Sequence, residues 1–145
     1  MSVDFYREEG ELGYLANYSN YGFTVDGVYY PTAEHFYQAS KFDNPEIIQK
    51  ILSCKTAREA ASVGRDRNNK RIDHFKDIKL DKMYQAVYEK FQQNPDIRKK
   101  LIETGDEEIR EMTDQESFWG VGPQLDGENH MGEILMRVRE ELKNQ

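Results

Sequence analysis

The sequence predicts an α+β fold: a mainly helical single domain over residues 1–145 with a small β-hairpin or sheet element. Three observations predict it. The N-terminal segment reads as strands and turns centred on Asp26-Gly27. Asn44-Pro45 and Asn94-Pro95 each place a capping residue and a first-turn proline ahead of an apolar-periodic run. Met131, Ile134, Leu135, Val138 and Leu142 recur at the spacing of one helical face near the end of the chain.

Taken in order, residues 23–30 place β-branched and aromatic side chains on both sides of Asp26-Gly27. That pair favours a two-residue hairpin turn because both turn positions need positive φ. Pro31 and Thr32 then open a helix over 32–42, with Thr32 as cap. A second helix spans 44–53, with Ile47, Ile48, Ile51 and Leu52 as its apolar stripe. A third spans 56–64 and stops at Gly64, read as a C-terminal glycine. Residues 65–78 are charged and weakly periodic, so a loop is expected. Leu80, Met83, Val87 and Phe91 mark a helix over 80–93. Another runs over 95–104 and stops at Gly105. Residues 107–112 suit a short strand or a helical turn, and 113–128 carry loop chemistry in Trp119-Gly120-Val121-Gly122-Pro123. The last helix spans 129–143, with Asn129 at its N-cap.

A length of 145 residues suits one domain able to bury its own core. No apolar run approaches membrane-spanning length, and no charged-then-apolar leader opens the chain, so a soluble, cytoplasmic protein is expected. Cys54 is the single cysteine, which excludes an internal disulfide and a thiolate metal site built on cysteine alone. His35, His74 and His130 lack metal-ligand spacing, so neither a metal nor a cofactor is expected. The net charge of −7 opposes the binding of long nucleic acid by phosphate neutralisation. Arg58, Arg65, Arg67, Lys70 and Arg71 form a local basic stretch that reads as a solvated loop, with a phosphate site as the alternative.

Three segments carry candidate chemistry. Glu34, Gln38 and Lys41 are spaced four and three residues apart and share one helical face. They suit either a surface stripe or a site, and Glu34 has a well-defined place in the first turn after a strand exit. Trp119 is the only tryptophan and sits beside Gly120 in a loop, where an indole can stack on a planar ring or plug the edge of the core. Asn129 suits capping alone, or a ligand at a helix start.

The ordered set of short motifs resembles the NADAR family, which includes the YbiA-like proteins. It comprises Tyr18-Ser19-Asn20-Tyr21, Val25-Asp26-Gly27, the run from Tyr30 to Phe42, Gly64-Arg65, Lys79 with Met83, Lys90-Phe91, Thr104-Gly105-Asp106, Trp119-Gly120, Gly127-Glu128-Asn129 with Met131-Gly132, and Leu135 to Arg139. The resemblance implies a hydrolase with N-glycosidase chemistry and a YbiA-like fold. Two reactions are associated with the family: cleavage of early, ribose-phosphate-bearing riboflavin intermediates, and removal of ADP-ribose from guanine. In some members the second serves as antitoxin to a DNA-modifying ADP-ribosyltransferase, so functional pairing with such an enzyme is an implied partnership. Position by position, the resemblance makes Glu34, Lys41 and Lys79 the catalytic candidates. It makes Asn20, Gln38, Arg65, Glu116, Trp119, Gly120 and Asn129 the substrate-binding ones. Two departures stand out: Glu116 occupies the place of an aspartate three residues before the tryptophan, and Phe75 that of a tryptophan four residues before Lys79. A non-catalytic ADP-ribose or nucleotide-binding module is the alternative reading.

Breaking a bond between ribose C1′ and nitrogen builds positive charge on the sugar, which a carboxylate can stabilise or relieve by activating water. Glu34 is the candidate, and a lysine can protonate the departing nitrogen. A neutral lysine can alternatively attack an open-chain sugar aldehyde to form a Schiff base.

Overall fold

The computed structural model describes residues Met1–Gln145. In chain order its elements are β1 (Ser2–Phe5), a 3₁₀ turn (Gly13–Leu15), β2 (Phe23–Val25), β3 (Val28–Tyr30), α1 (Ala33–Ala39), α2 (Pro45–Leu52), α3 (Ala57–Arg65), α4 (Phe75–Gln93), α5 (Pro95–Glu103), β4 (Glu108–Glu111) and α6 (His130–Lys143). The class is the α+β one predicted. The chain packs as two compact units, Met1–Ala16 with Asn94–Gln145, and Asn17–Gln93. No helix is long and apolar enough to cross a membrane.

In the first unit β1 pairs in parallel with β4, Val3 opposite Ile109. The 107–112 segment is therefore a strand, and its partner lies about a hundred residues earlier, a pairing no local pattern reveals. Helix α6 packs on β4 and α5. Asn129 ends the preceding loop with a left-handed backbone, φ 53°, and makes no side-chain cap. Its amide instead takes the backbone of β4: Oδ1 accepts from Glu111 N–H at 3.0 Å and Nδ2 donates to Ile109 O at 2.9 Å. Capping by its side chain, expected from sequence, is replaced by strand bridging.

In the second unit the hairpin turn is as expected, with Asp26 at φ 51° and Gly27 at φ 80°. Phe23, Tyr30 and Phe36 cluster with ring centroids 4.9–6.0 Å apart and join the hairpin to α1. Gln93 binds β2 through both ends of its amide, accepting from Thr24 N–H and donating to Thr24 O. Helix α4 begins at Phe75, five residues ahead of the expected start. Phe75 is buried against Tyr37, with centroids 5.5 Å apart, and that contact extends the helix through a stretch whose charged residues obscure its periodicity.

The start of α1 is fixed by a buried histidine. Thr32 Oγ1 accepts from His35 N–H, His35 Nδ1 lies 2.8 Å from the same hydroxyl, and His35 Nε2 lies 3.0 Å from Cys54 O. A neutral ring satisfies all three: Nε2–H donates to Cys54 O while Nδ1 accepts from the threonine hydroxyl. Burial pushes the imidazole below its ordinary 6.5. The unfolded chain therefore binds the proton first as pH falls, so this group's contribution to stability is complete above pH 6.5 and lost below it, through its lowered folded value. Thermal melts should show a midpoint that drops on acidification from pH 7 to 5, with a smaller drop in His35→Asn. Equal drops in both proteins would remove His35 as the cause.

Candidate active site

The stripe Glu34, Gln38 and Lys41 is not on the surface. These side chains are 5%, 2% and 7% exposed, respectively. Helix α1 is wrapped within its unit by α2, α3, α4 and β3, so the face that carries Glu34 and Gln38 is turned inward. Its rigid exit from β3 and the Thr32 cap decide which face that is. The helix ends at Ala39, short of the expected 42, and Lys41 follows in the turn beyond it.

Gln38 Nε2 donates to Glu34 Oε2 at 2.6 Å. Burial is the largest influence on the Glu34 carboxyl and pushes its pKa up. The Gln38 hydrogen bond and the charges of Arg65 and Lys41 pull the other way. Lys41 is pushed down to about 8, by burial first, with Arg71 and Arg65 adding repulsion and Glu34 opposing them. Its Nζ lies 5.4 Å from the centroid of Tyr37. The Tyr37 hydroxyl is pushed up to about 12, by burial and then by Glu34. Tyr18 is raised for the same two reasons, and Arg65 hydrogen-bonds to it. Arg58 lies over the Tyr18 ring, 5.8 Å from its centroid. A buried acid and a buried amine, their ordinary pKa values shifted toward each other, are thus flanked by two tyrosines and three arginines. Such a set can move a proton near neutral pH and hold an anion beside the place where it does so.

Loop 66–74 reaches the site because Ile72 N–H donates to Lys41 O at 2.8 Å. That bond places Arg71 where its charge acts on Lys41 and Tyr37. Arg71 also lines an open groove of about 540 Å³ with Ile47, Lys70 and Ile72. The basic stretch, read from sequence as a solvated loop, supplies two exposed guanidinium groups, Arg65 and Arg71, to the Glu34 cluster.

Gly64 lies inside α3, and the C-terminal glycine read there is corrected: its absent side chain makes room for Gln38. A Cβ at 64 would meet Gln38 Oε1, with Gln38 Cδ at 2.6 Å and Gln38 Cβ at 2.9 Å. Gln38 Oε1 itself is buried without a hydrogen-bond partner. We expect Gly64→Ala to cost about 1–3 kcal/mol of stability by overpacking and to lower activity by tilting Gln38 off Glu34. Thermal melts and turnover of the same preparation check both, and a variant with wild-type values would show that Gln38 can yield without consequence.

Of the sequence-derived candidates, the structure brings Glu34, Gln38, Lys41 and Arg65 together. Asn20 is exposed in the segment that follows Tyr18 and Ser19. Lys79 is half-buried on α4. The remaining four lie in the first unit. The Glu116 carboxylate accepts three backbone N–H groups, from Phe118 at 2.8 Å, Trp119 at 2.9 Å and Gly120 at 3.0 Å. It closes the loop that carries the half-buried Trp119. Gly120 O accepts from Asn129 N–H at 3.1 Å. Two residues of the cluster escaped the sequence reading, Tyr18 and Tyr37, while Arg58 and Arg71 entered it only within the basic stretch whose alternative was a phosphate site. Tyr37 had a visible signal, three residues after Glu34 and four before Lys41, which sets it on their face. Phe75 touches Tyr37, so the aromatic that replaces the family's tryptophan packs behind the site. No three His, Cys, Asp or Glu side chains converge as metal ligands would.

Fold and cluster together define a small α+β protein with a buried acid–base pair under an arginine-bearing rim. Residues 4–143 match the NADAR domain. The chain belongs to that family. It is 38% identical to an N-glycosidase of Nostoc punctiforme over 99% of this chain and 94% of that protein. It is also 38% identical to a riboflavin biosynthesis protein of Vibrio vulnificus, over 97% of this chain but only 38% of that protein's length. The solved NMR structure of Escherichia coli YbiA, a protein named an N-glycosidase, superposes with a TM-score of 0.90 at 31% identity, covering 99% of this chain and 88% of that one.

Proposed function

We propose that this protein is a cytoplasmic N-glycosidase that hydrolyses the bond between ribose C1′ and nitrogen in a small, phosphate-bearing substrate. The single observation that carries the reading is the buried Glu34 carboxyl, hydrogen-bonded by Gln38 and facing the charges of Lys41 and Arg65. In the reaction, water oxygen bonds to C1′ and the C1′–N bond breaks, its electron pair staying on nitrogen. Glu34, as carboxylate, takes the proton from water, and burial makes it a stronger base than an exposed glutamate. Lys41, as ammonium, gives the departing nitrogen its proton, which a value near 8 makes easier than an ordinary lysine would. Passage of the proton from Glu34 to Lys41 resets the pair. Arg65 and Arg71 hold the phosphate. Asn20 and Lys79 are further candidates for contact with substrate, on the family resemblance.

Ribose-phosphate-linked riboflavin intermediates are the substrate class that fits best, since the net charge of −7 disfavours a long polyanion and a Vibrio relative is named for riboflavin biosynthesis. ADP-ribosylated guanine is the second reading, favoured by the groove of about 540 Å³ beside Arg71, which offers room beyond one ribose phosphate. In that case the functional counterpart is an ADP-ribosyltransferase and the role that of an antitoxin. The test is incubation with each substrate and chromatographic detection of free base and free sugar. Release of ribose 5-phosphate identifies the first class and release of ADP-ribose the second. Binding of either without release would make the protein a non-catalytic ligand-binding module instead.

A further inference from the structure

Lys90 takes no part in the chemistry above, yet it is among the most deeply buried side chains of the chain, 1% exposed. It lies on the inner face of α4 among Met83, Ala86, Val87 and Phe91, all buried. Its Nζ donates to Ser19 Oγ at 3.0 Å and lies 5.1 Å from the centroid of Phe91. Burial alone pushes the amine down to about 7. An ionisable group in such surroundings costs stability, and a methionine of similar volume would avoid that cost.

What Lys90 holds explains its presence. Helix α4 grips the segment that precedes and enters the hairpin at three points: Met83 Sδ accepts from Asn17 Nδ2 at 3.2 Å, Lys90 donates to Ser19, and Gln93 brackets Thr24. The other side of this segment meets the site. Asn17 O accepts from Glu34 N–H at 3.2 Å, and Tyr18 bonds Arg65 and faces the Glu34 charge. Ser19 lies between these contacts and Asn20. We propose that Lys90 is a positioning residue for the Glu34 site, acting through Ser19 to hold residues 17–20 against the first turn of α1. The inference rests on the N-glycosidase reading for its catalytic consequence, though not for its structural one.

The experiment compares wild type with Lys90→Met, Ser19→Ala and the double variant, following turnover of the ribose-phosphate-linked riboflavin intermediate, thermal midpoint and amide exchange. Misplacement of a catalytic group should lower kcat by about tenfold or more in Lys90→Met with KM nearly unchanged. The thermal midpoint should be equal or higher. A residue that merely supported the fold would lower it. Ser19→Ala should share the kcat loss, and the double variant should be no worse than the larger single effect. Exchange of the Glu34 amide, which donates to Asn17 O, should quicken in both single variants while the amides of α5 and α6 stay unchanged. A kcat within about twofold of wild type, additive losses or an unchanged Glu34 amide would each overturn the proposal. Ser19→Ala removes a single oxygen, so it keeps the test open if Lys90→Met fails to fold. If wild type itself releases no base, the N-glycosidase reading fails, and the Glu34 amide still decides what Lys90 holds.

Discussion

Replacing Glu34 with glutamine should lower kcat by about 10²–10⁴, the range that general acid–base help supplies, while leaving the protein folded. The amide keeps the shape of the carboxyl and its oxygen still accepts from Gln38 Nε2, so the local geometry survives. What is lost is the ability to take a proton from water and to sit as a negative charge beside C1′. The sign of the stability change separates catalysis from folding. Burial raises the Glu34 pKa, so the unfolded chain releases that proton at lower pH than the folded one does. The ionised carboxyl therefore opposes folding at neutral pH, and the glutamine variant should melt at an equal or higher temperature. A variant with low kcat and a raised midpoint is the expected result, measured by turnover and melting of one preparation. Wild-type kcat in Glu34→Gln would remove Glu34 from the reaction.

The second large effect is expected at Lys41. Lys41→Met should lower kcat by about 10²–10⁴, and the pH profile of the wild-type enzyme should reveal what the amine does. With its pKa pushed down to about 8, an ammonium that protonates the leaving nitrogen requires activity to fall as pH rises through 8. A neutral amine that attacks an open-chain sugar requires activity to rise through the same value. The two limbs have opposite signs, so one profile of kcat/KM between pH 6 and pH 10 distinguishes them. Borohydride added during turnover supplies a second observation. A covalent sugar adduct on Lys41 would establish the Schiff-base route, and its absence from an active preparation would leave the ammonium as acid. A methionine variant with no pH limb near 8 and wild-type turnover would exclude both roles.

Both predictions concern side chains whose spacing in the sequence points to one helical face. Spacing of four residues puts Glu34 and Gln38 on one face of α1, because 3.6 residues make a turn, whereas Lys41 lies two residues past the helix, in a turn where its N–H donates to Gln38 O at 3.2 Å. Spacing does not say whether that face meets water or core. A carboxylate, an amide and an ammonium in a row look like a solvated stripe, and only the packing of α2, α3 and α4 around α1 turns them inward. The shifts of Glu34 and Lys41 follow from that burial. Lys90 is the sharper case: its spacing of three, four and seven from Val87, Ala86 and Met83 sets it on the apolar face of α4, but a lysine there can extend its amine to water, and only the packing leaves it 1% exposed.

The hairpin was legible because Asp26-Gly27 needs no help from distant residues to adopt positive φ. The Asn44-Pro45 start and the apolar faces of α4 and α6 were legible for the same reason, since capping and amphipathic periodicity act within a few turns. The pairing of β1 with β4 was not, because parallel register between segments a hundred residues apart is written in neither one. Gly64 was misread, and Asn129 stands at the N-cap position expected of it but without the side-chain cap, for a common reason. A glycine near a helix end and an asparagine at a helix start have strong local meanings, yet here one makes room for Gln38 and the other bridges β4. Local capping, turn chemistry and periodicity are enough for most of the elements, for the common face of Glu34 and Gln38, and for the family. Long-range packing alone sets which polar groups lose water, and through that loss it raises the Glu34 carboxyl and lowers the Lys41 amine.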